Sequence, residues 1–171
     1  SDGCGMTGSQ TVTFTAMDDC GNISICTAVI TVEDTTAPSI DPAAVNEIVE
    51  CDGQGNTAAL NAWLLANGHA TATDGCSDEP LIWTNELLTI ESACGATDTR
   101  TYRFTVTDNC GNSSTTDASF IIQDMTPPDI TTAASNMLVE CNGASNSAEL
   151  LNWLNSNGGA VAEDICGDIS W

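Results

Sequence analysis

The chain has almost no positive charge. Its 171 residues include no Lys, two Arg and one His, against 24 Asp and Glu, which gives a formal net charge of −22. Nucleic-acid binding depends on Lys and Arg contacts to phosphates, and binding to anionic membrane surfaces needs the same side chains. The composition therefore excludes both functions.

Two further absences narrow the class of protein. The sequence has no apolar run long enough to insert directly into a membrane, and no Cys-x-x-Cys pair of the kind that zinc fingers and redox dithiols use. It does contain nine Cys, which is typical of oxidising, extracellular compartments. With 42% hydrophobic residues, it is expected to fold. We expect the chain to be part of a longer precursor that is secreted to the extracellular space.

The sequence repeats itself with a period of 90 residues. An ungapped shift of this length superimposes four cysteine positions, Cys4 on Cys94, Cys20 on Cys110, Cys51 on Cys141 and Cys76 on Cys166. Such periodicity indicates a tandem array of structural units. The motif Asp-x-Thr-x-Pro recurs at 34–38 and 124–128, where proline interrupts regular structure. These boundaries predict the C-terminal half of a module over 1–34, a complete module over 35–124 and the N-terminal half of the next over 125–171.

Apolar and polar residues alternate through much of each repeat. In 11–16 and 101–106 the apolar residues fall on even positions, as in a half-buried strand. Further strands are expected at 28–32, 118–122, 45–50, 81–84 and 86–91. About seven short strands per module predict an all-β fold of tandem immunoglobulin-like β-sandwich modules.

One segment of each repeat has the helical period instead. Leu60, Trp63 and Leu64 are spaced i, i+3, i+4 ahead of Gly68, and Leu150, Trp153 and Leu154 repeat the pattern. This spacing predicts one short amphipathic helix per module, with its Trp in the core.

Eight cysteines are candidates for disulfides, but sequence alone does not determine their pairing, because four positions allow three connectivities. One interpretation pairs Cys51 with Cys76, which would clamp the helical segment. Cys94 would then pair with Cys110 and tie a strand to the following turn. The corresponding bonds of the other copies are Cys141–Cys166 and Cys4–Cys20. Cys26 aligns with Thr116 and is either a free thiol or an additional bridge.

Calcium is the predicted ion. Asp34 and Asp124 stand beside the module boundaries, and Asp18 and Asp108 begin the two Asp-x-Cys-Gly-Asn turns. Carboxylate oxygens are calcium ligands, and a strongly negative array repels itself unless cations screen it. The alternative is that these aspartates only make hydrogen bonds within turns.

Asn22 and Asn112 each begin an N-glycosylation sequon, one repeat apart. Covalently attached glycans are therefore expected, and outward Ser and Thr offer O-linked sites as well. The alternative is that the Cys-Gly-Asn turn keeps Asn for its left-handed backbone geometry.

No enzymatic activity is predicted. A single His69 cannot supply a Cys/His or Ser/His/Asp site in both copies of a repeat, and paired carboxylates have little diagnostic value in so acidic a chain.

Several motifs together carry a resemblance to a known family. They are the Asp-x-Cys-Gly-Asn-x-Ser turn, the Asp-x-Thr-x-Pro-x-Ile boundary, the Val-Glu-Cys segments at 49–51 and 139–141, and the four-cysteine spacing. The chain resembles the hyalin-repeat-like, four-cysteine modules of giant bacterial cell-surface proteins. This resemblance implies immunoglobulin-like sandwiches repeated many times in a secreted adhesin, stalk or fibre.

The sequence therefore predicts a structural repeat of an extracellular filament, stalk or surface fibre. Its partners would be copies of itself, stacked head to tail. Residues 125–171 need the strands that 1–34 supply, so the tail of one chain would be completed by the head of the next. The alternative is an adhesive module that binds a glycan or protein, for which exposed aromatic residues in a concave patch are expected.

Overall fold

A computed structural model describes residues 3–77, 79–141, 143 and 145–171. The fold is mostly strand, with 40% of residues in strands and 14% in helices, which confirms the all-β prediction. The strands of the described residues are β1 (Gly8–Met17), β2 (Ile23–Val32), β3 (Ser39–Ile40), β4 (Glu47–Glu50), β5 (Ala72–Thr73), β6 (Ile82–Ser92), β7 (Asp98–Thr107), β8 (Ser113–Gln123), β9 (Asp129–Thr132) and β10 (Val161–Glu163). Helices α1 (Thr57–Leu65) and α2 (Ser147–Asn155) are each followed by a 3₁₀ turn, at Asn67–His69 and Asn157–Gly159.

The strands form four sheets. Strands β4, β8, β7 and β6 lie in that order in one sheet, and the pairs β1–β2, β3–β5 and β9–β10 form three two-stranded sheets. The β1–β2 hairpin is antiparallel, with a register that runs from Gly8 opposite Val32 to Met17 opposite Ile23.

Most predicted strands lie inside observed ones, but one expectation is wrong. Strands predicted separately at 81–84 and 86–91 are a single strand, β6. No Gly or Pro occurs between Ile82 and Ser92, so nothing in this stretch breaks an extended backbone.

The chain divides into two compact units. The first contains the described residues of Ser1–Glu47, Leu60–Ile90 and Arg100–Phe120. Its core contains Tyr102, Phe104, Val106 and Phe120 of strands β7 and β8, so the alternation over 101–106 separates buried side chains from partly or fully exposed ones, as predicted. The Trp63 ring packs edge-on against this group, with ring centroids 5.2 Å from Phe104 and 5.9 Å from Tyr102.

Gly68 allows the turn after α1 to approach that core. Its φ is 62°, which favours glycine. A Cβ atom at this position would lie 2.8 Å from Cε2 of Phe104. Glycine is therefore needed here both for backbone conformation and for space.

The second unit contains the described residues of Ile48–Ala59, Glu91–Thr99 and Ile121–Trp171. Its buried residues include Cys51, Asn56, Thr97, Ile122 and Cys166. The Asn56 amide donates to the Glu50 carbonyl (2.7 Å) and accepts from the Asp52 amide (3.2 Å). These bonds explain how a polar side chain tolerates burial ahead of α1.

Two disulfides join distant parts of the sequence, Cys4 to Cys110 and Cys51 to Cys166, with sequence separations of 106 and 115. The pairings suggested above, Cys51–Cys76, Cys94–Cys110, Cys141–Cys166 and Cys4–Cys20, are therefore wrong. They assumed bonds between cysteines near in sequence. The fold instead brings the Cys4 loop onto the backbone of Cys76, whose carbonyl accepts from the Met6 amide (3.2 Å), and leaves the Cys4 sulfur facing Cys110. Disulfides of this kind are typical of an oxidising, extracellular environment.

Candidate assembly surfaces

The sequence repeat supplies two pairs of matching segments within the chain. We call 1–34 and 91–124 the back segments, and 35–81 and 125–171 the front segments. The two back segments align with each other at the 90-residue shift, as do the two front segments. Features that both members of a pair share arise from the local sequence, and features that differ depend on what packs against each segment.

The two back segments fold into the same hairpin but differ in burial. In the β7–β8 hairpin, Phe104 and Phe120 are 0% exposed, whereas their counterparts in β1–β2, Phe14 and Ile30, are 55% and 58% exposed. The β1–β2 register places Phe14 opposite Cys26 and Val12 opposite Ala28, so these side chains share one face with Ile30. We call Val12, Phe14, Ala28 and Ile30 the hairpin face.

The two front segments keep the same internal hydrogen bonds. The Trp63 indole donates to the Val45 carbonyl at 3.2 Å, and the Trp153 indole donates to the Ser135 carbonyl at 3.0 Å. Likewise the Asn146 amide donates to the Glu140 carbonyl at 2.8 Å, as Asn56 does to Glu50. Each front segment therefore holds its Trp in the same local frame.

Only one front segment is covered on its apolar side. Leu60 is buried, but its counterpart Leu150 is 53% exposed, and α2 has no buried residue. An open cleft of about 480 Å³ lies beside α2. We call this cleft, lined by Met137, Val139, Leu150 and Trp153, the helix cleft.

Five cysteines have no disulfide partner. Cys20, Cys26, Cys76, Cys94 and Cys141 are all exposed thiols. Four of them occupy recurring positions of the repeat, and Cys26 is the exception. The eight predicted disulfide cysteines thus divide into four that are bonded within the chain and four that are not.

The predicted calcium ligands come together as one pair. Oxygen atoms of Asp34 and Asp108 lie within 4.8 Å of each other and of the Cys110 sulfur, which is already bonded to Cys4. Asp34 Oδ1 accepts from the Thr36 amide at 3.0 Å, whereas Asp34 Oδ2 is buried with no hydrogen-bond partner. A buried carboxylate oxygen without a donor is a suitable ligand for a cation.

Asp108 is held as a carboxylate. It is 3% exposed, and burial by itself raises the pKa of a carboxyl group. Hydrogen bonds from the Asn112 side chain and from the amides of Asn112 and Cys110 outweigh this effect and lower the pKa of Asp108. Together with the unpartnered Asp34 Oδ2, this carboxylate offers a cation hard oxygen ligands at short range.

Asp18 and Asp124 do not join a comparable group among the described residues. Asp18 makes the same turn as Asp108 but is exposed, and hydrogen bonds from the Asn22 side chain and amide lower its pKa. Asp124 accepts from the Thr126 amide at 3.2 Å. All four predicted aspartates make the turn bonds that the alternative interpretation expected, and only Asp34 and Asp108 meet.

The side chains of the two sequon asparagines donate hydrogen bonds within these turns. The Asn22 amide nitrogen donates to Asp18 Oδ2 at 2.7 Å. The Asn112 nitrogen donates both to Asp108 Oδ2 (2.9 Å) and to the Asp34 carbonyl (3.2 Å). Both hydrogens of the Asn112 amide are therefore engaged, and attachment of a glycan there would break one of these bonds.

Sequence reasoning found only part of a second acidic region, because it named Asp124 but not the other carboxylates around it. Glu50, Asp124, Asp129, Glu163 and Asp164 line a cleft of about 450 Å³ in the second unit. Glu50 accepts from the Thr126 hydroxyl (2.7 Å) and the Met125 amide, and these bonds lower its pKa. The recurrence of Glu50 as Glu140, directly before a repeated cysteine, was the available signal.

No protein-family model matches the chain, and no curated protein sequence matches it. Among the described residues, no helix is long and apolar enough to cross a membrane.

Proposed function

We propose that the chain is a structural repeat of an extracellular filament, stalk or surface fibre, in which copies join head to tail. One observation carries the proposal. The hairpin face and the helix cleft are exposed in this chain, while Trp63, the counterpart of Trp153, packs in the first unit on Tyr102, Phe104 and Phe120, the counterparts of Val12, Phe14 and Ile30.

The internal packing serves as a template for the contact between copies. By the repeat alignment, Trp153 of one copy would pack on Val12, Phe14 and Ile30 of the next. Burying each large apolar side chain contributes roughly 1.5–3 kcal/mol. In this arrangement the joined segments would complete an immunoglobulin-like sandwich module of 90 residues, and the fibre would lengthen with the number of copies.

Calcium is part of the proposal. The Asp34–Asp108 pair would supply two of the six to eight oxygen ligands that calcium takes, with Asp34 Oδ2 buried and without a hydrogen-bond partner. The same alignment that joins the copies would bring Asp124 of one copy to Asp18 of the next. A second ion would then lie at each junction and oppose the self-repulsion of a chain with a net charge of −22.

Electron microscopy of the native material, with and without a calcium chelator, tests the proposal. We expect a fibre whose axial repeat corresponds to one or two modules, and loosening of that fibre when the chelator is added. Persistence of single particles at high protein concentration would overturn the filament function, and binding of those particles to glycans would favour the adhesive alternative.

A matched pair of variants connects such fibres to the surfaces described here. Phe14→Ser places a polar group in the hairpin face and should abolish fibres, because this side chain is expected to meet Trp153 of the neighbouring copy. Thr13→Ser changes the opposite face of the same strand and should leave fibres intact. Equal assembly of both variants would exclude the hairpin face from the contact.

A further inference from the structure

We propose that successive copies are joined by two disulfides, one from Cys94 to Cys20 of the next copy and one from Cys141 to Cys76 of the next copy. This inference rests on the head-to-tail assembly proposed above and makes it covalent. It assigns a partner to each of the four recurring cysteines that have none within the chain.

The pairing follows from the positions of the observed bonds in the repeat. Cys4 stands at the Cys94 position of its repeat, and it bonds Cys110, which stands at the Cys20 position. Cys51 stands at the Cys141 position and bonds Cys166, which stands at the Cys76 position. Applied to the remaining cysteines, the same two rules leave only Cys94 with Cys20 and Cys141 with Cys76.

The order of the positions places these bonds between copies. In the observed disulfides, Cys4 and Cys51 belong to an earlier repeat than their partners, Cys110 and Cys166. The unpaired residues have the opposite order within one chain, since Cys94 follows Cys20 and Cys141 follows Cys76. A partner from a following copy restores the observed order.

Cys94 has the same local frame as the bonded Cys4. The hydroxyls of Thr97 and Thr7 donate to the carbonyls of Cys94 and Cys4. Within each loop the next glycine has φ near 57°, and the following amide donates to a cysteine carbonyl, Ala96 to Cys166 (2.7 Å) and Met6 to Cys76 (3.2 Å). A side chain at Gly95 would collide with that carbonyl, so the loop geometry is specific.

The expected partners also match their bonded counterparts. Cys20 lies in the Asp18 turn, whose carboxylate accepts from the Cys20 amide at 3.0 Å, as Asp108 accepts from the Cys110 amide at 2.8 Å. The Cys76 amide donates to Asp74 at 2.8 Å.

The Cys166 amide donates to Asp164 at 2.8 Å, which is also the distance of the bond from the Cys76 amide to Asp74. The Cys20 and Cys76 thiols are thus held in the turns that present bonded sulfurs elsewhere in the chain.

Each bond requires a two-electron oxidation. The Cys94 thiolate attacks a disulfide oxidant, of the protein or low-molecular-weight class, and releases one thiolate. The Cys20 thiolate of the next copy then attacks the Cys94 sulfur of this mixed disulfide and releases the second thiolate. The two protons of the original thiols and two electrons end on the two thiols of the reduced oxidant. Cys141 and Cys76 react in the same way.

Isotope mixing distinguishes bonds between copies from bonds within one. Equal amounts of unlabelled and ¹⁵N-labelled full-length chain are assembled with oxidised glutathione, alkylated without reduction, and digested at Asp, because the chain has only two Arg for trypsin. We expect Cys94–Cys20 and Cys141–Cys76 peptide pairs that combine one light and one heavy partner, and Cys4–Cys110 and Cys51–Cys166 pairs of uniform label. Uniform label in all four pairs would overturn the inference.

Complementary variants test the direction of the bonds. Both double variants carry Cys26→Thr as well, so that Cys94→Ser/Cys141→Ser keeps only Cys20 and Cys76 as free thiols, and Cys20→Ser/Cys76→Ser keeps only Cys94 and Cys141. On non-reducing gels each variant alone should run at the 17.7 kDa of the monomer, their mixture should add one dimer band, and the unmodified chain should form a ladder. Cys26→Thr alone introduces the residue that stands at the aligned position of the next repeat, Thr116, and should keep the ladder.

Two failures remain distinguishable. Fibres in the microscope in which Cys20, Cys76, Cys94 and Cys141 are all alkylated would overturn the disulfides between copies and leave the filament proposal standing. Absence of both fibres and covalent oligomers would overturn both. Retention of Cys4–Cys110 and Cys51–Cys166 in each variant shows that it has folded, so a lost ladder reports on the bonds between copies.

Discussion

The β7–β8 hairpin and the β1–β2 hairpin are two outcomes of one sequence pattern. Both alternate apolar and polar residues and both form antiparallel strands, but Phe104 is fully buried and Phe14 is 55% exposed. The difference lies in what covers them. Trp63 packs on Phe104 in the first unit, whereas no ring contact covers Phe14 among the described residues.

This comparison shows that a strand pattern encodes a surface that is suited to burial without specifying what buries it. An apolar face of this kind is costly to leave in water, and the proposed assembly would cover it. Because the chain contains both the covering helix and the covered hairpin twice, the packed pair predicts how the unpacked pair is used. The predictions below test that equivalence.

The largest effect is expected for the two tryptophans. Trp63→Ala should destabilise the isolated chain by about 3–5 kcal/mol, as removal of a buried aromatic ring usually does. Trp153→Ala should change the stability of the isolated chain much less, because α2 has no buried residue, and should abolish assembly. Urea unfolding of dilute protein measures the first quantity, and sedimentation of assembled protein measures the second.

Trp153→Phe provides the control for this pair, since it keeps an aromatic ring while losing the bond to Ser135. It should retain part of the assembly. Similar losses of stability in Trp63→Ala and Trp153→Ala would contradict the comparison.

Removal of disulfide cysteines should give the next largest effect. Cys4→Ser/Cys110→Ser opens a bond with a sequence separation of 106 and should lower the free energy of unfolding by about 2–5 kcal/mol. The matched change Cys94→Ser/Cys20→Ser should leave the stability of the dilute monomer nearly unchanged, since neither cysteine forms a disulfide within the chain. Thermal unfolding under non-reducing conditions compares the two, and an equal loss in both would contradict the assigned pairing.

Local features of the fold were predictable from sequence because their causes are local. The alternation over 101–106 identified Tyr102 and Phe104 as the buried side, and the spacing of Leu60 and Trp63 predicted the helix. Cysteine pairing was not predictable in this way. Bonds between Cys51 and Cys166 depend on backbone contacts between distant segments, such as the Ala96 amide with the Cys166 carbonyl, and no local pattern encodes them.

The carboxylate pair lies between these two cases. The recurrence of the Asp-x-Cys-Gly-Asn turn and of the boundary motif was enough to name Asp34 and Asp108 as candidate ligands. Their approach depends on a tertiary contact, the bond from the Asn112 amide to the Asp34 carbonyl. The sequence could therefore indicate the residues but not that Asp34 Oδ2 would lack a donor.

A smaller effect is expected at the glycines that follow the two helices. Gly68→Ala should destabilise the chain by about 1–3 kcal/mol, because it combines a φ of 62° with a contact to Phe104. Gly158→Ala has a φ of 65°, but the atoms nearest to its added Cβ belong to Ala134 and Trp153 and lie 3.1 Å away, farther than Phe104 lies from a Cβ at Gly68. It should cost less in the isolated chain, and urea unfolding of both variants measures the difference.

Gly158→Ala becomes informative again in assembled material. If Phe14 of a neighbouring copy occupies the place that Phe104 has beside Gly68, the variant should assemble less well than the unmodified chain. Unimpaired assembly would mean that the neighbouring copy does not approach Gly158 as Phe104 approaches Gly68.

The smallest effect is expected from acid. The pKa of Asp108 is lowered in the folded chain, so its ionised form stabilises the fold above the pKa of the unfolded carboxyl group, about 3.9. That contribution is lost as the pH falls through the lower, folded value. Asp108→Asn should therefore reduce the stability at neutral pH and make the decline of stability below about pH 4 shallower. Asp18→Asn, in an exposed turn, should have the same two effects to a smaller extent. Unfolding free energies from pH 7 to pH 2 measure both slopes, and an Asp18→Asn effect as large as that of Asp108→Asn would show that burial does not distinguish the two copies of the turn.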